Sequence, residues 1–195
     1  MVCRWGTDTR FDAPELRDFL GLAERQLFPT ELLSSFTRVT SARYRVNVAG
    51  RSRTRRFSEL DPVRLAGLLD AAPEESRPGI YRRLGDVALS LSGVFPDYVA
   101  NRAFGPVNAA RLLRAAQVPA PEQGRLAGAP DIDLLEHLGT RWYRSALALA
   151  PVRTGQLAVV AEVADRFRQA GRVLNHVADR YLMGPDNPWF AAPGR

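Results

Sequence analysis

A chain of 195 residues that is 46% hydrophobic and 25% charged can bury one substantial core, yet no apolar run reaches the ~18–20 residues a membrane-spanning helix needs. All 27 basic side chains are arginine, which excludes chemistry built on a lysine Schiff base, a P-loop lysine or a pyridoxal-phosphate anchor. The formal charge of +6 is concentrated: between Glu31 and Glu59 there is no acid, but there are seven arginines, Arg38, Arg43, Arg45, Arg51, Arg53, Arg55 and Arg56.

The start, Met-Val-Cys-Arg-Trp-Gly, has no apolar leader, so a soluble cytoplasmic protein is expected. Cys3 is the sole cysteine, leaving no internal disulfide and no cysteine-rich metal site. Residues 1–11 and 184–195 read as peripheral tails of a single domain spanning 1–195. Asp12-Ala-Pro-Glu15 has the form of a helix start, and Leu16, Phe19, Leu20, Ala23 and Leu27 continue an apolar face. Pro29 is expected to interrupt it, with Thr30 capping a short second helix through Leu32, Leu33 and Phe36. From Arg43 to Val48 apolar and polar residues alternate, so the stretch near 43–57 reads either as a small β-hairpin or as an irregular basic loop.

Asp61-Pro62 marks the next helix, with Val63, Leu65, Ala66, Leu68 and Leu69 inward. Ser76-Arg-Pro78 opens another, on which Ile80, Leu84, Val87, Leu91 and Val94 form a stripe with helical period. Pro106 starts a helix expected to turn Val107, Ala110, Leu113 and Ala116 inward. Residues 118–131 hold repeated prolines and glycines and read as an internal linker. A helix from Asp131 to Leu149 follows, then a single long one from about Thr154 to Leu182. The fold class is therefore all-α, one bundle-like domain of six or seven helices.

Chemistry-bearing residues are few. Asp133 and His137, and His176 and Asp179, share helical faces, and with Glu162 and Asp165 they sketch a di-metal arrangement. The diagnostic Glu-x-x-His pair is absent, and Arg166, Arg168 and Arg172 crowd the same stripe, so no metal and no cofactor is assigned. Ser90 and Ser92 lie outside any nucleophile-elbow motif, and serines on a small-residue helix face serve close packing or bond back to a carbonyl one turn earlier. Asp86 admits two arrangements: an exposed i,i+4 partner of Arg82, or a buried carboxylate paired with an arginine from another helix, Arg141 or Arg144. Trp142 and Tyr143, flanked by Arg141 and Arg144, read as core on one side and rim on the other.

Residues 84–96, Leu-Gly-Asp-Val-Ala-Leu-Ser-Leu-Ser-Gly-Val-Phe-Pro, resemble the Leu-Gly-Asp…Ser-Gly-x-Phe-Pro signature of an uncharacterised bacterial family of all-helical proteins. His137-Leu-Gly139-Thr-Arg-Trp-Tyr143 is similar to its second signature, aromatic-Gly-x-x-x-Tyr, with His137 in the aromatic position. Val173-Leu-Asn175-His-Val177 is similar to a motif of its last helix. The resemblance covers about residues 30–182 and implies a helical fold; it carries over no catalytic residue.

These features favour a non-enzymatic binding or adaptor protein whose basic patch (Arg43, Arg45, Arg51, Arg53, Arg55, Arg56) meets an acidic protein surface first and nucleic acid second. Membrane contact is not expected, and a homodimer through an apolar helix face is compatible with either partner. The competing expectation is a small-molecule-binding protein or enzyme, with a pocket between the helices at 80–95 and 131–149 lined by Asp86, Ser90, His137, Trp142 and Tyr143.

Overall fold

The computed structural model describes residues 21, 23–36, 41–48, 51–101, 104–150 and 155–179. The expected tails, the helix start at Asp12, Cys3 and Arg38 lie outside these residues. Among the described residues nine α-helices and one two-stranded sheet are present. In chain order they are α1 (Ala23–Ser35), β1 (Ser41–Val48), β2 (Arg51–Ser58), α2 (Pro62–Ala66), a 3-10 turn (Glu74–Ser76), α3 (Arg77–Gly93), α4 (Pro96–Ala100), α5 (Gly105–Ala115), α6 (Ala120–Ala127), α7 (Asp131–Leu149), α8 (Gly155–Asp165) and α9 (Phe167–Val177). The fold is all-α with a small β-hairpin. No helix among the described residues is long and apolar enough to cross a membrane.

Helix α3 is the centre of the bundle. It packs along α7, with α9, α2 and α1 on its other sides, so every residue from Leu84 to Ser90 is buried. The predicted stripe was therefore too narrow: Leu84 and Val87 are buried as expected, but Ala88 and Leu89 are equally enclosed and Ile80 and Leu91 only half so. Small residues make this crowding feasible. A Cβ on Gly85 would stand 2.5 Å from the Tyr143 ring, and one on Gly93 would stand 2.9 Å from the Gly171 carbonyl oxygen. On the facing helix, Gly139 leaves the notch that Phe167 fills.

The proline-marked starts hold. Asp61 caps α2 by accepting from the Val63 and Arg64 amides at 3.0 and 3.1 Å. Prolines also occupy the first turns of α3, α4 and α5. Four expectations change. Pro29 sits inside α1 instead of ending it; a proline there forfeits a backbone hydrogen bond at about 3 kcal/mol, which burial of Phe28 and Leu32 offsets. Residues 118–131 contain α6, whose Leu126 is buried. On α5 the inward residues are Ala109, Leu112 and Leu113, whereas Val107 is 66% exposed and Ala110 is exposed. The long helix expected from 154 to 182 is two helices that break at Arg166 (φ −117°, ψ 35°), a turn that sets Phe167 against Tyr143 with ring centroids 5.9 Å apart.

The hairpin pairs antiparallel, Ser41 opposite Ser58 and Val48 opposite Arg51. It rests on α2 through β2, which gives an otherwise marginal two-stranded unit a surface to pack on.

Candidate functional site

Asp86 combines features of both expected arrangements. It is 8% exposed, but its cationic partner is Arg82 of its own helix, whose Nε donates to Asp86 Oδ1 at 3.0 Å. The contact from another helix is Tyr143, whose hydroxyl donates to the same oxygen at 2.8 Å. The Arg82 guanidinium also lies over the Phe28 and Tyr143 rings, 5.8 and 5.9 Å from their centroids. Burial, the Asp86 charge and the hydrogen bond to it all hold the Tyr143 hydroxyl well above the usual tyrosine range. Tyr143 therefore acts as a fixed hydrogen-bond donor to a buried carboxylate. Neither Arg141 nor Arg144 reaches Asp86: Arg141 donates to the Ala116 and Gln117 carbonyls at 3.0 and 2.7 Å, and Arg144 pairs with Asp165 at 3.0 Å.

The other residues of the expected pocket are placed separately. Trp142 and Tyr143 are both wholly buried, so neither forms a rim. Ser92 Oγ donates to the Ala88 carbonyl at 2.8 Å, while Ser90 Oγ is buried without a hydrogen-bond partner. His137 stands among Arg141, Glu122 and Arg125, where burial first and then the Arg141 charge lower its pKa; its Nε2 has no partner, nor does Trp142 Nε1. Between α3 and α7 the space beside Asp86 is filled by the Tyr143 ring against Gly85. The sketched metal arrangement is taken up differently: Asp133 and Glu136 both bind Arg168, at 3.0 and 2.7 Å. Among the described residues no cluster of three or more histidine, cysteine or acidic side chains is placed to hold a metal.

The basic patch has two sides. Strand residues two apart, and residues directly opposite, share a sheet face. Arg43 is opposite Arg56 and Arg45 is opposite Thr54, so these four side chains share one face, and all four are exposed. Tyr44 and Arg55 share the other face. Tyr44 is half-buried, its hydroxyl 3.3 Å from where a Gly67 Cβ would lie. Arg51 and Arg53 belong to β2, but their side chains lie outside the description. Arg55 lines a cleft of about 600 Å³ between the hairpin, α2, α3 and α5, together with Asp70, Arg77, Tyr81, Arg111 and Arg114.

No family model matches the chain, and no curated protein or solved structure matches it either. The charged residues of the cleft other than Arg55 were not expected as site residues from the sequence, though one signal was present. Arg111 and Arg114 are three apart on a helix, a like-charge spacing that destabilises unless something compensates.

Proposed function

We propose that the protein is a non-enzymatic binding or adaptor protein whose cationic hairpin face docks on an acidic protein surface. The observation that carries this reading is the pairing of Arg43 directly opposite Arg56, with Arg45 beside them, all exposed and without an ion pair among the described residues. Like charges facing each other across a ladder destabilise a hairpin; a partner's carboxylates would relieve that repulsion and accept bidentate guanidinium bonds. The surrounding exposed residues Ser41, Ser52 and Thr54 are small and polar, suited to hydrogen bonding at a wet rim and offering no aromatic platform for unpaired bases. The all-helical family that the Leu84–Pro96 segment resembles adds a helical scaffold and no reaction.

The test is binding of the full chain to a glutamate-rich peptide and to a DNA duplex of matched charge, across 50–300 mM salt. The peptide is expected to bind with an affinity that falls as salt rises, and the triple variant Arg43→Ser, Arg45→Ser, Arg56→Ser is expected to lose it. Tighter binding of the duplex, lost in the same variant, would transfer the hairpin to nucleic acid. Indifference of both probes at 50 mM salt would overturn the reading.

A further inference from the structure

We infer that the cleft between the hairpin, α2, α3 and α5 is a binding site for a small, multiply charged phosphate compound, separate from the hairpin's outer face. Four arginines line it, Arg55 of β2, Arg77 at the start of α3, and Arg111 and Arg114 of α5, against a single acidic residue, Asp70. None of these five groups has a hydrogen bond or ion pair among the described residues. Elsewhere five described arginines pair with carboxylates: Arg64 binds Asp61, Arg82 binds Asp86, Arg83 binds Glu59, Arg144 binds Asp165 and Arg168 binds Asp133 and Glu136.

Two polar groups of cleft residues lack partners among the described residues. Arg77 Nε is buried with no hydrogen-bond partner among the described residues, an unfavourable state for a charged group. Tyr81 is 5% exposed, and its hydroxyl has no partner among the described residues although it borders the cavity. A ligand oxygen in the cavity would give the Tyr81 hydroxyl an acceptor.

Size and charge set the ligand class. A cavity of about 600 Å³ lies in the range of small-molecule sites, roughly 300–1,000 Å³, and exceeds what one inorganic anion fills. Excess charge of +3 from four cations and one carboxylate matches a diphosphate or a bisphosphorylated compound. Guanidinium forks bind such oxygens bidentately and keep their charge at any physiological pH. Asp70, an acceptor among donors, would repel a phosphate and accept from a ligand hydroxyl or amine. The floor beneath is apolar, formed by Val63, Ala66 and Leu69.

Isothermal titration of the full chain with inorganic pyrophosphate, at ~150 mM salt, tests this. One site per chain is expected, with a dissociation constant at least tenfold below that for inorganic monophosphate. Arg111→Ala with Arg114→Ala is expected to weaken pyrophosphate binding at least tenfold. Both residues are exposed, so the fold should survive, and either single variant serves if the double one melts early. The hairpin variant Arg43→Ser, Arg45→Ser, Arg56→Ser should bind pyrophosphate within twofold of the parent, so the two readings fail independently. No saturable heat up to 10 mM pyrophosphate, equal affinity for monophosphate, or full binding by the α5 variant would each overturn the inference.

Discussion

Asp86 and Tyr143 are better understood as a couple than as separate residues. The carboxylate is buried but keeps Arg82 alongside it, and the tyrosine hydroxyl has that carboxylate as its acceptor. Asp86→Ala would strand the fully buried Tyr143 hydroxyl, at a cost of about 1–3 kcal/mol, and would also free Arg82. Tyr143→Phe removes one hydrogen bond from a carboxylate that retains Arg82 and should cost only about 1 kcal/mol. The double variant should cost less than the two singles added together, because it removes both partners at once; urea unfolding of the four proteins would read that coupling. Strict additivity would mean the pair does not interact. His137 gives a pH test of its own. Its folded pKa is lowered by burial and by Arg141, so the unfolded chain binds the proton more readily. The neutral histidine's contribution is therefore complete above the unfolded value near 6.5 and is lost as pH falls from there through the folded pKa. Melting temperature in the parent should drop more steeply across that window than in His137→Gln, and parallel curves would contradict the assignment.

At the level of elements, glycines on α3 answer to opposite demands. Gly85 faces the Tyr143 ring so closely that an added methyl group would stand 2.5 Å from it, whereas nothing lies within 4 Å of the same position on Gly79. Gly85→Ala should therefore destabilise by roughly 1–3 kcal/mol through overpacking, even though alanine favours a helix by about 1 kcal/mol. Gly79→Ala should keep that propensity gain and stabilise by up to about 1 kcal/mol, and a pair of thermal melts separates the two. Elements that announce themselves locally were legible in the sequence. Asp61-Pro62, Ser76-Arg-Pro78 and the strict alternation after Arg43 produced α2, α3 and β1, and the 131–149 stripe produced α7. What stayed hidden depends on distant contacts. The helix through Pro29 is held by burial of Phe28 and Leu32, and the break at Arg166 serves Phe167 in the Gly139 notch, with neither proline nor glycine at the break to mark it. The same holds for the sites. The charge of the hairpin could be read from its arginines, but the convergence of Arg55, Arg77, Arg111 and Arg114 joins three elements far apart in the chain.

Across the whole molecule the charge is sorted in space. Around α3, α7 and α9, Arg82, Arg144 and Arg168 pair with carboxylates and Arg141 holds the carbonyls at the end of α5. The hairpin and its cleft carry arginines that have no such partner among the described residues, and the helical core beneath must tolerate their repulsion. This arrangement has a consequence for stability. Arg43 and Arg56 sit in directly opposed positions, where Cα atoms are about 4.5–5.5 Å apart, and each opposed like-charge contact costs roughly 0.2–1 kcal/mol. Removing the three outer-face arginines by Arg43→Ser, Arg45→Ser and Arg56→Ser relieves that one opposed contact and should thus stabilise the unliganded protein by roughly 0.2–1 kcal/mol at 20 mM salt. For a chain of this length that corresponds to up to about 4 °C in melting temperature. Salt should erase the difference, because at ~0.3 M the screening length falls to about 6 Å: the parent should gain in stability from 20 to 300 mM sodium chloride, and the variant should gain less. A variant that melts below the parent at low salt would mean that these arginines support the fold, and the repulsion on which the docking proposal stands would be absent.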